Sequence, residues 1–191
     1  CDEEGLLFIL DEVQTGIGRT GSLFAYEQEG VEPDIMTLAK GLAGGVPIGA
    51  VMAREDIAAH LVKGDHGSTF GGNALAAAAG YATVKHVIDE DLSAAARNAS
   101  ERLVSRLRSM EDRLAVVNEV RGRGLLIAVQ FTRDCASDVV DACRRRGLLA
   151  NNVRPNAVRL MPPLNVSDDE IDRACDILEE AIVDATRSVA K

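Results

Sequence analysis

Apolar residues in the first part of the chain form short continuous runs, separated by glycine-rich turns. A continuous apolar run bounded by polar residues indicates a strand buried on both faces, which is typical of a parallel sheet. The residue spacing also predicts a short helix at 54–62 and an alanine-rich helix at about 74–89. The predicted strands are 6–10, 35–39 and 46–53.

The pattern changes from Leu92 onward, where apolar residues recur at helical spacing as far as Leu114. This spacing predicts an amphipathic helix of roughly six turns. Ser167 and Glu170 form a capping box that opens a final helix. The remaining predicted elements are strands at 115–120, 125–131, 148–150 and 157–160, a turn at 121–124, and a helix at 134–146. The apolar face of the final helix carries Ile171, Ala174, Cys175, Leu178, Ile182 and Val189.

These patterns predict an α/β protein in two parts. Residues 1–90 form part of a large domain built on a parallel sheet, and 91–191 form a connecting helix and a small α+β domain. A length of 191 residues is enough for a substantial hydrophobic core.

Composition and charge exclude several classes of function. The net charge is −9 and no basic stripe is present, which argues against nucleic-acid binding. The basic cluster 144–146 follows a predicted helix, where cations suit the helix end and are ordinarily solvated. No apolar run approaches the roughly 18 residues of a membrane span, and the sequence shows no signal peptide. We therefore expect neither a nucleic-acid nor a membrane partner.

Cysteine and histidine residues show no metal-binding pattern. The four cysteines lack metal-type spacing and lie among apolar or helical neighbours, which predicts reduced thiols in a cytoplasmic protein. The three histidines are scattered along the chain, so we expect no metal site.

Lys40 differs from the other lysines in its sequence context. It ends a predicted buried strand and precedes a glycine-rich turn, whereas Lys63, Lys85 and Lys191 lie in polar, helix-like surroundings. Desolvation would lower the pKa of the Lys40 ammonium and produce a nucleophilic amine suited to a Schiff base. The alternative is a lysine that extends to solvent from a strand end.

Two acids, Asp11 and Glu12, follow the first predicted strand. In open α/β sheets, ligands bind beyond the carboxyl ends of the strands, so adjacent parallel strands would place Asp11 and Lys40 at the same functional edge. The alternative for such an acidic pair is loop solvation or a helix cap.

Two loops are candidates for binding an anion. The glycine-dense loop 15–21 has neither the dinucleotide spacing nor the P-loop ending, so its signal is weak. Ser68 and Thr69 precede a predicted helix, where hydroxyls and backbone N–H groups can bind a phosphate. The alternative is simple helix capping by Asn73.

A carboxylate, a lysine and an anion site at one sheet edge jointly fit pyridoxal phosphate. The lysine reacts with its aldehyde, the carboxylate keeps its ring nitrogen protonated, and the anion site holds its phosphate. Each signal is weak alone, but no other cofactor fits the three together as well.

Three strings closely resemble the class-III aminotransferases of fold type I, and the resemblance covers nearly the whole chain. They are LDEVQTGIGRTGSLFAYEQEGVEPDIMTLAKGLAGGVPIGAV, HGSTFGGNALA and AVRLMPPLNV. One departure is Ala74, where the family usually has proline, which costs some rigidity at the helix start.

The resemblance implies roles for individual residues. Asp11 would bond the pyridinium nitrogen, within a cofactor-binding segment that also includes Glu12. Val13 would pack on the ring, and Gln14 would reach its hydroxyl. Lys40 would hold the cofactor and move the proton. The remaining implied roles are phosphate binding by Thr69 from the neighbouring subunit of a homodimer, a substrate contact by Ser68, and a substrate α-carboxylate clamp by Arg159.

The implied reaction moves an amino group from N-acetylornithine, or a related omega-amino donor, to 2-oxoglutarate in arginine biosynthesis. Related enzymes that act on ornithine, succinylornithine or 4-aminobutyrate share these motifs. The family's N-terminal phosphate loop and ring-stacking aromatic have no counterpart in residues 1–191, so the chain looks like a C-terminal half. A second hypothesis is therefore a non-catalytic fragment with only a structural or assembly role.

Overall fold

The computed structural model describes residues 1–187, so Val189 and Lys191, named above, lie outside the described residues. The described residues form two compact units, here called unit 1 (Cys1–Ser93) and unit 2 (from Ala94 onward). The strands are β1 (Ile9–Asp11), β2 (Ile35–Leu38), β3 (Ala50–Ala53), β4 (Val117–Arg123), β5 (Leu126–Phe131), β6 (Asn151–Arg154) and β7 (Ala157–Leu160). The α-helices are α1 (Glu55–Ala58), α2 (Ala74–Asp89), α3 (Leu92–Arg113), α4 (Ala136–Arg145) and α5 (Asp168–Arg187).

Unit 1 contains a three-stranded sheet in the order β1-β2-β3. β1 and β2 are parallel, as predicted, with Asp11 opposite Thr37. β3 is antiparallel to β2, so this sheet contains one parallel pair and one antiparallel pair. A parallel return needs a crossover of about a dozen or more residues. The connection after Leu38 begins with the 3₁₀ turn Lys40–Ala43 and returns antiparallel as β3.

Burial in this sheet is one-sided, contrary to the prediction that the first strand is buried on both faces. Leu6 is 62% exposed, Ile9 57% and Val51 69%, whereas Met36 and Leu38 of β2 are buried. β1 and β3 are the outer strands of the three, so each has a paired strand on one side only. The apolar pattern located the three strands, although β1 and β3 begin later than predicted. The neighbours that would bury them do not come from this sheet.

Unit 2 is an antiparallel sheet in the order β4-β5-β7-β6 with helices packed on it. Its hydrophobic core combines helix and strand residues, among them Leu107, Phe131, Val139, Val158 and Ile182, each no more than 1% exposed. Full burial of such side chains contributes about 1.5–3 kcal/mol each. Unit 2 therefore has a hydrophobic core of its own.

Two local predictions in unit 2 were wrong. The turn expected at 121–124 lies at 124–125, and Arg121–Arg123 belong to β4. The strand expected at 148–150 is irregular, and the strand begins at Asn151. The reason is that the Leu148 N–H donates to the Cys143 carbonyl at 3.0 Å, which completes the end of α4 before the chain can join the sheet.

Helix starts were predicted well, because each depends on residues close in sequence. The Asn73 side chain accepts from the Ala76 N–H at 3.0 Å and caps α2. Ser167 and Glu170 form the predicted capping box of α5, with the Ser167 N–H donating to Glu170 Oε2 at 2.9 Å and the Glu170 N–H to Ser167 Oγ at 3.3 Å. These hydrogen bonds from Ser167 hold the pKa of the Glu170 carboxyl below its usual value.

Ion pairs line the exposed seam between α3 and α5. The α3 arginines face a column of α5 acids, and Arg146 at the end of α4 pairs with Glu180 and Asp184. The sequence predicted that Arg146 is solvated, but its guanidinium instead pairs with two acids of α5. Exposed pairs of this kind contribute little to stability, so they support a helix packing that the core already determines. The α3–α5 pairs join Arg102, Arg106 and Arg113 to Asp168, Asp172, Asp176 and Glu179.

Within residues 1–187, no helix is long and apolar enough to cross a membrane. The same residues contain no group of three or more His, Cys, Asp or Glu side chains that could hold a metal ion. All four cysteines are free thiols. Burial raises the pKa of Cys143 and of Cys175 to about 11, so both thiols stay protonated near neutral pH.

Candidate active site

Asp11 lies at the carboxyl end of β1 with its side chain exposed. Its Oδ1 accepts from the Val13 N–H at 2.9 Å. The same oxygen accepts from the Thr37 hydroxyl at 3.4 Å, across from Asp11 in the sheet register. One donor is a backbone N–H and the other is the hydroxyl of a residue on the paired strand, so the carboxylate has a defined orientation at the sheet edge.

Lys40 lies two residues beyond the end of β2 and begins a 3₁₀ turn, Lys40–Ala43. Its φ of 46° falls in the left-handed region, which non-glycine residues rarely adopt. Strained backbone of this kind concentrates at functional sites. Lys40 is exposed, however, which agrees with the alternative of a lysine that extends to solvent and not with an ammonium desolvated by this chain. The turn lifts the side chain off the sheet rather than burying it within it.

The parallel pairing places Asp11 and Lys40 at the same edge, as predicted. Asp11 is opposite Thr37, and Lys40 follows Thr37 by three residues along the strand direction. Carboxyl ends of parallel strands form the usual ligand edge of such sheets. One carboxylate and one amine therefore lie at the edge of the sheet where a ligand is expected to bind.

The loop after β1 is organised by Glu12, whose role sequence reasoning missed. Glu12 is only 4% exposed. Its Oε1 accepts from the Tyr26 N–H at 2.9 Å, and its Oε2 accepts from the Thr15 hydroxyl. These contacts are structural, so the assignment of Glu12 as a cofactor contact stays a prediction from the resemblance alone. The partner Tyr26 lies 14 residues away, and no local sequence signal identifies it.

The glycine-dense loop 15–21 uses its backbone donors internally. The Gly18 N–H donates to the Leu23 carbonyl at 3.2 Å, and the Gly21 N–H to the Gly18 carbonyl at 3.1 Å. Gly18 and Gly21 have φ values of 84° and 94°, where a side chain would be strained. These two glycines therefore shape a turn, and their N–H groups are not directed at a phosphate.

The other predicted cofactor residues lie on this loop or on a separate segment. Val13 and Gln14 are half-buried on the loop beside Asp11. Ser68 and Thr69 are exposed on the segment before α2, where Ser68 Oγ accepts from the Gly71 N–H at 2.9 Å. Within residues 1–187, no hydrogen bond joins Thr69 to Asp11 or Lys40.

Arg159 belongs to unit 2 and lies in the middle of β7. It is opposite Asn151 of β6, and its Nε donates to Asn151 Oδ1 at 3.4 Å. Its side chain is half-buried. A guanidinium presented by a strand flanked on both sides has restricted motion, which suits bidentate binding of a carboxylate.

A second buried acid, Asp34, fixes the opposite end of the β1–β2 pair. Asp34 is 7% exposed, and its Oδ2 accepts from the Phe8 N–H at 2.7 Å. Its Oδ1 pairs with Arg54 at 2.7 Å. The sequence gives no sign of this contact, because Arg54 is 20 residues away beyond β3. This node holds the amino ends of the strands whose carboxyl ends carry Asp11 and Lys40.

Comparison with known proteins identifies a family for this chain. The family model "Aminotransferase class-III" matches residues 1–182. An acetylornithine aminotransferase of Caldanaerobacter subterraneus is 49% identical over 95% of this chain and 46% of its own length.

Two solved structures closely resemble the structure of this chain. The acetylornithine aminotransferase from Elizabethkingia anophelis has a TM-score of 0.91 at 39% identity, covering 96% of this chain and 47% of that one. The ornithine aminotransferase from Toxoplasma gondii has a TM-score of 0.93 at 37% identity, covering 98% and 46%. The chain spans about half the length of these relatives. It belongs to the class-III aminotransferase family.

Proposed function

We propose that the complete protein is a pyridoxal-phosphate-dependent aminotransferase that uses N-acetylornithine and 2-oxoglutarate in arginine biosynthesis. The observation that carries the proposal is the placement of Asp11 and Lys40 at one edge of the parallel β1–β2 pair. Membership of the family supports the reaction type. The relatives named above support the acetylornithine donor, with ornithine as the alternative.

The residues present fit the cofactor. Asp11 offers an oriented carboxylate, and Lys40 offers an exposed amine on a strained turn. When bound, pyridoxal phosphate supplies an electron sink for the bond that breaks at the carbon bearing the reacting amine. Asp11 would hold a proton on the ring nitrogen, because its carboxylate stabilises the positive charge there. Lys40 would bind the cofactor and afterwards carry the proton to and from the substrate carbon.

The substrate contacts are proposed from unit 2 and from a second subunit. Arg159 would clamp a substrate carboxylate with its two-pronged guanidinium. Ser68 would contact the substrate, and Thr69 of a partner subunit would bind the cofactor phosphate, which makes the protein a homodimer with shared active sites. The exposed position of Ser68 and Thr69 is compatible with service to another chain. Free cysteines support a cytoplasmic location.

The test uses the complete protein loaded with pyridoxal phosphate. Borohydride reduction followed by peptide mass mapping should find the pyridoxyl label on Lys40, and Lys40→Ala should remove it. Lys63→Arg and Lys85→Arg are matched controls that should leave the label in place. A label on either control lysine would overturn the assignment of Lys40.

A panel of donors then identifies the substrate. We expect kcat/KM to be highest for N-acetylornithine when the panel also includes ornithine, succinylornithine and 4-aminobutyrate, each with 2-oxoglutarate as acceptor. A higher value for one of the other donors would replace acetylornithine while keeping the reaction type. A complete protein that neither takes the cofactor nor transfers an amino group would favour the structural role.

A further inference from the structure

We infer that Glu12 is a positioning residue that sets the orientation of Asp11 by clamping the loop after β1, and that it does not contact the cofactor. This inference rests on the proposed function, because Asp11 is the residue it positions. It also replaces the cofactor-contact role that the resemblance implied for Glu12.

Every polar group of Glu12 is used within the protein. The backbone N–H donates to the Thr37 carbonyl at 3.0 Å, extending the β1–β2 pairing past the end of the strand. The backbone carbonyl accepts from the Gly16 N–H at 3.0 Å. The two carboxylate oxygens accept from Tyr26 and Thr15. With the side chain 4% exposed, no carboxylate oxygen is directed to the solvent-facing edge where a ligand would bind.

The carboxylate joins the two ends of a long loop. Thr15 lies three residues after Glu12, and Tyr26 lies 14 residues after it. An ionised carboxylate only accepts hydrogen bonds, and it has two oxygens, so it can serve the hydroxyl and the backbone N–H at once. Hydrogen bonds to a charged acceptor are roughly twice as strong as neutral ones. Glu12 therefore holds the loop closed, and we call its two side-chain hydrogen bonds, from Thr15 and Tyr26, the clasp.

Asp11 depends directly on this clasp. Its Oδ1 accepts from the N–H of Val13, so the Asp11 side chain and Val13 lie on either side of the Glu12 backbone. Any rotation of the Glu12 peptide would displace that donor. The turn has little free space, because a Cβ at Gly16 would lie 2.9 Å from the Glu12 carbonyl oxygen and 3.3 Å from Leu38. The geometry of Asp11 is thus fixed by a buried side chain next to it.

The experiment compares three variants of the complete holoenzyme: Glu12→Ala, Glu12→Gln and Thr15→Val. We measure kcat and KM at saturating cofactor, the dissociation constant of pyridoxal phosphate, and the pH profile of kcat. Misplacement of a catalytic group by about 1 Å can cost about 100-fold in rate, so we expect Glu12→Ala to lower kcat by at least about tenfold. KM should change much less, and the pH profile should shift because Asp11 is displaced.

The two milder variants separate a clasp from a charge contact. Glu12→Gln keeps an acceptor for Tyr26, so it should lose clearly less activity than Glu12→Ala. Thr15→Val removes one arm of the clasp, so it should lower kcat in the wild-type background and have no further effect in the Glu12→Ala background. Equal losses in Glu12→Gln and Glu12→Ala would instead indicate that the charge acts directly on the cofactor, and would overturn the inference.

Controls exclude a purely structural effect. Glu27→Ala removes an exposed carboxylate of the same loop, whose Oε2 accepts from the Phe24 N–H at 3.3 Å, and should leave kcat at the wild-type value. A Glu12→Ala enzyme with a lower melting temperature but wild-type kcat and pH profile would overturn the inference. If Glu12→Ala does not fold, a wild-type kcat in Thr15→Val has the same consequence. Failure of the proposed function itself would be visible in the wild-type protein, which would then bind no cofactor.

Discussion

Unit 1 and unit 2 differ in how much of their apolar surface they bury. Among the residues that the structure describes, twelve of the fourteen exposed large hydrophobic residues belong to unit 1. Every member of the main hydrophobic core cluster belongs to unit 2, between Ala96 and Ala185. The exposed residues of unit 1 are Leu6, Leu7, Ile9, Val31, Val51, Met52, Leu61, Val62, Phe70, Leu75, Tyr81 and Ile88.

The difference indicates a division of roles. Unit 2 completes its own core, whereas unit 1 presents Asp11 and Lys40 on a sheet whose outer strands remain exposed. Contiguous exposed apolar surface marks an interaction site. The chain also spans 46% of the length of a close relative. We therefore expect the chemistry of unit 1 to depend on further protein, and the folding of unit 2 to be independent of it.

The largest expected effect is the behaviour of the two units expressed separately. Residues 92–191 should be soluble and show one cooperative thermal transition, because their core is complete. Residues 1–91 should aggregate or lack a cooperative transition, because their sheet exposes apolar side chains. Circular dichroism melting and analytical ultracentrifugation measure both properties. A monomeric 1–91 piece with a sharp transition would contradict the comparison.

The same contrast predicts that residues 1–191 alone are not a working enzyme. Supplied with pyridoxal phosphate, N-acetylornithine and 2-oxoglutarate, this chain should form glutamate far more slowly than the roughly 1–10³ per second of ordinary enzymes. The complete protein, assayed in parallel, is the control. Turnover of the short chain in the ordinary range would show that unit 1 needs no further protein.

A large but more local effect is expected from Asp11→Asn in the complete protein. The amide keeps an acceptor for the Val13 N–H but removes the negative charge, so kcat should fall by at least about 100-fold while KM changes little. Asp56→Asn is a matched control, since Asp56 is another exposed aspartate of unit 1, and it pairs with Arg54. Its kcat should stay within about twofold of wild type. A near-wild-type kcat for Asp11→Asn would end the proposed role.

The two units also differ in how well their sequence predicts their structure. The ends of α2 and α3 were predicted well, because helical spacing and the Asn73 cap are local signals. The burial of β1 was predicted wrongly, because burial depends on which segments cover a strand. An apolar strand pattern shows that a face of the strand must be covered. It does not show whether the same chain supplies the segments that cover it.

The candidate site divides in the same way. The shared edge of Asp11 and Lys40 follows from strand direction, so it could be predicted from the sequence. The buried acids Glu12 and Asp34 could not, because their partners Tyr26 and Arg54 are distant along the chain. The sequence left burial and exposure of Lys40 as alternatives, because its turn begins only after the apolar run ends. Features set by neighbouring residues could be predicted from the sequence, whereas contacts between residues distant along the chain could not.

A moderate effect is expected at Arg159, the proposed substrate residue of unit 2. Arg159→Lys keeps the charge but replaces a planar fork with a point charge, so kcat/KM for 2-oxoglutarate should fall by about tenfold. Arg154→Lys on the neighbouring strand β6 is the control and should have little effect. Both variants should melt at the wild-type temperature. Equal kcat/KM for Arg159→Lys and wild type, within about twofold, would exclude a bidentate contact.

The smallest expected effect tests how far unit 2 depends on local capping rather than on its core. Ser167→Ala removes the hydroxyl that donates to Glu170 Oε2 at 2.8 Å and accepts from the Glu170 N–H. Loss of such a helix cap costs about 1 kcal/mol, which is small beside the core of residues 92–191. Urea unfolding of this piece, with Ser167→Thr as the control that keeps a hydroxyl, measures the loss at pH 7.

The pH dependence of this loss follows from the Glu170 carboxyl. Its pKa in the folded state is held below the ordinary value of 4.5 by hydrogen bonds from Ser167, so the ionised form stabilises the fold. That contribution is present above pH 4.5 and disappears as the pH falls through the lowered pKa, because Glu170 is then protonated in both states. The difference in unfolding free energy between wild type and Ser167→Ala should therefore shrink below pH 4.5. If the difference stays constant down to pH 2.5, about two pH units below that value, the Ser167 hydroxyl stabilises the helix only by accepting from the Glu170 backbone N–H.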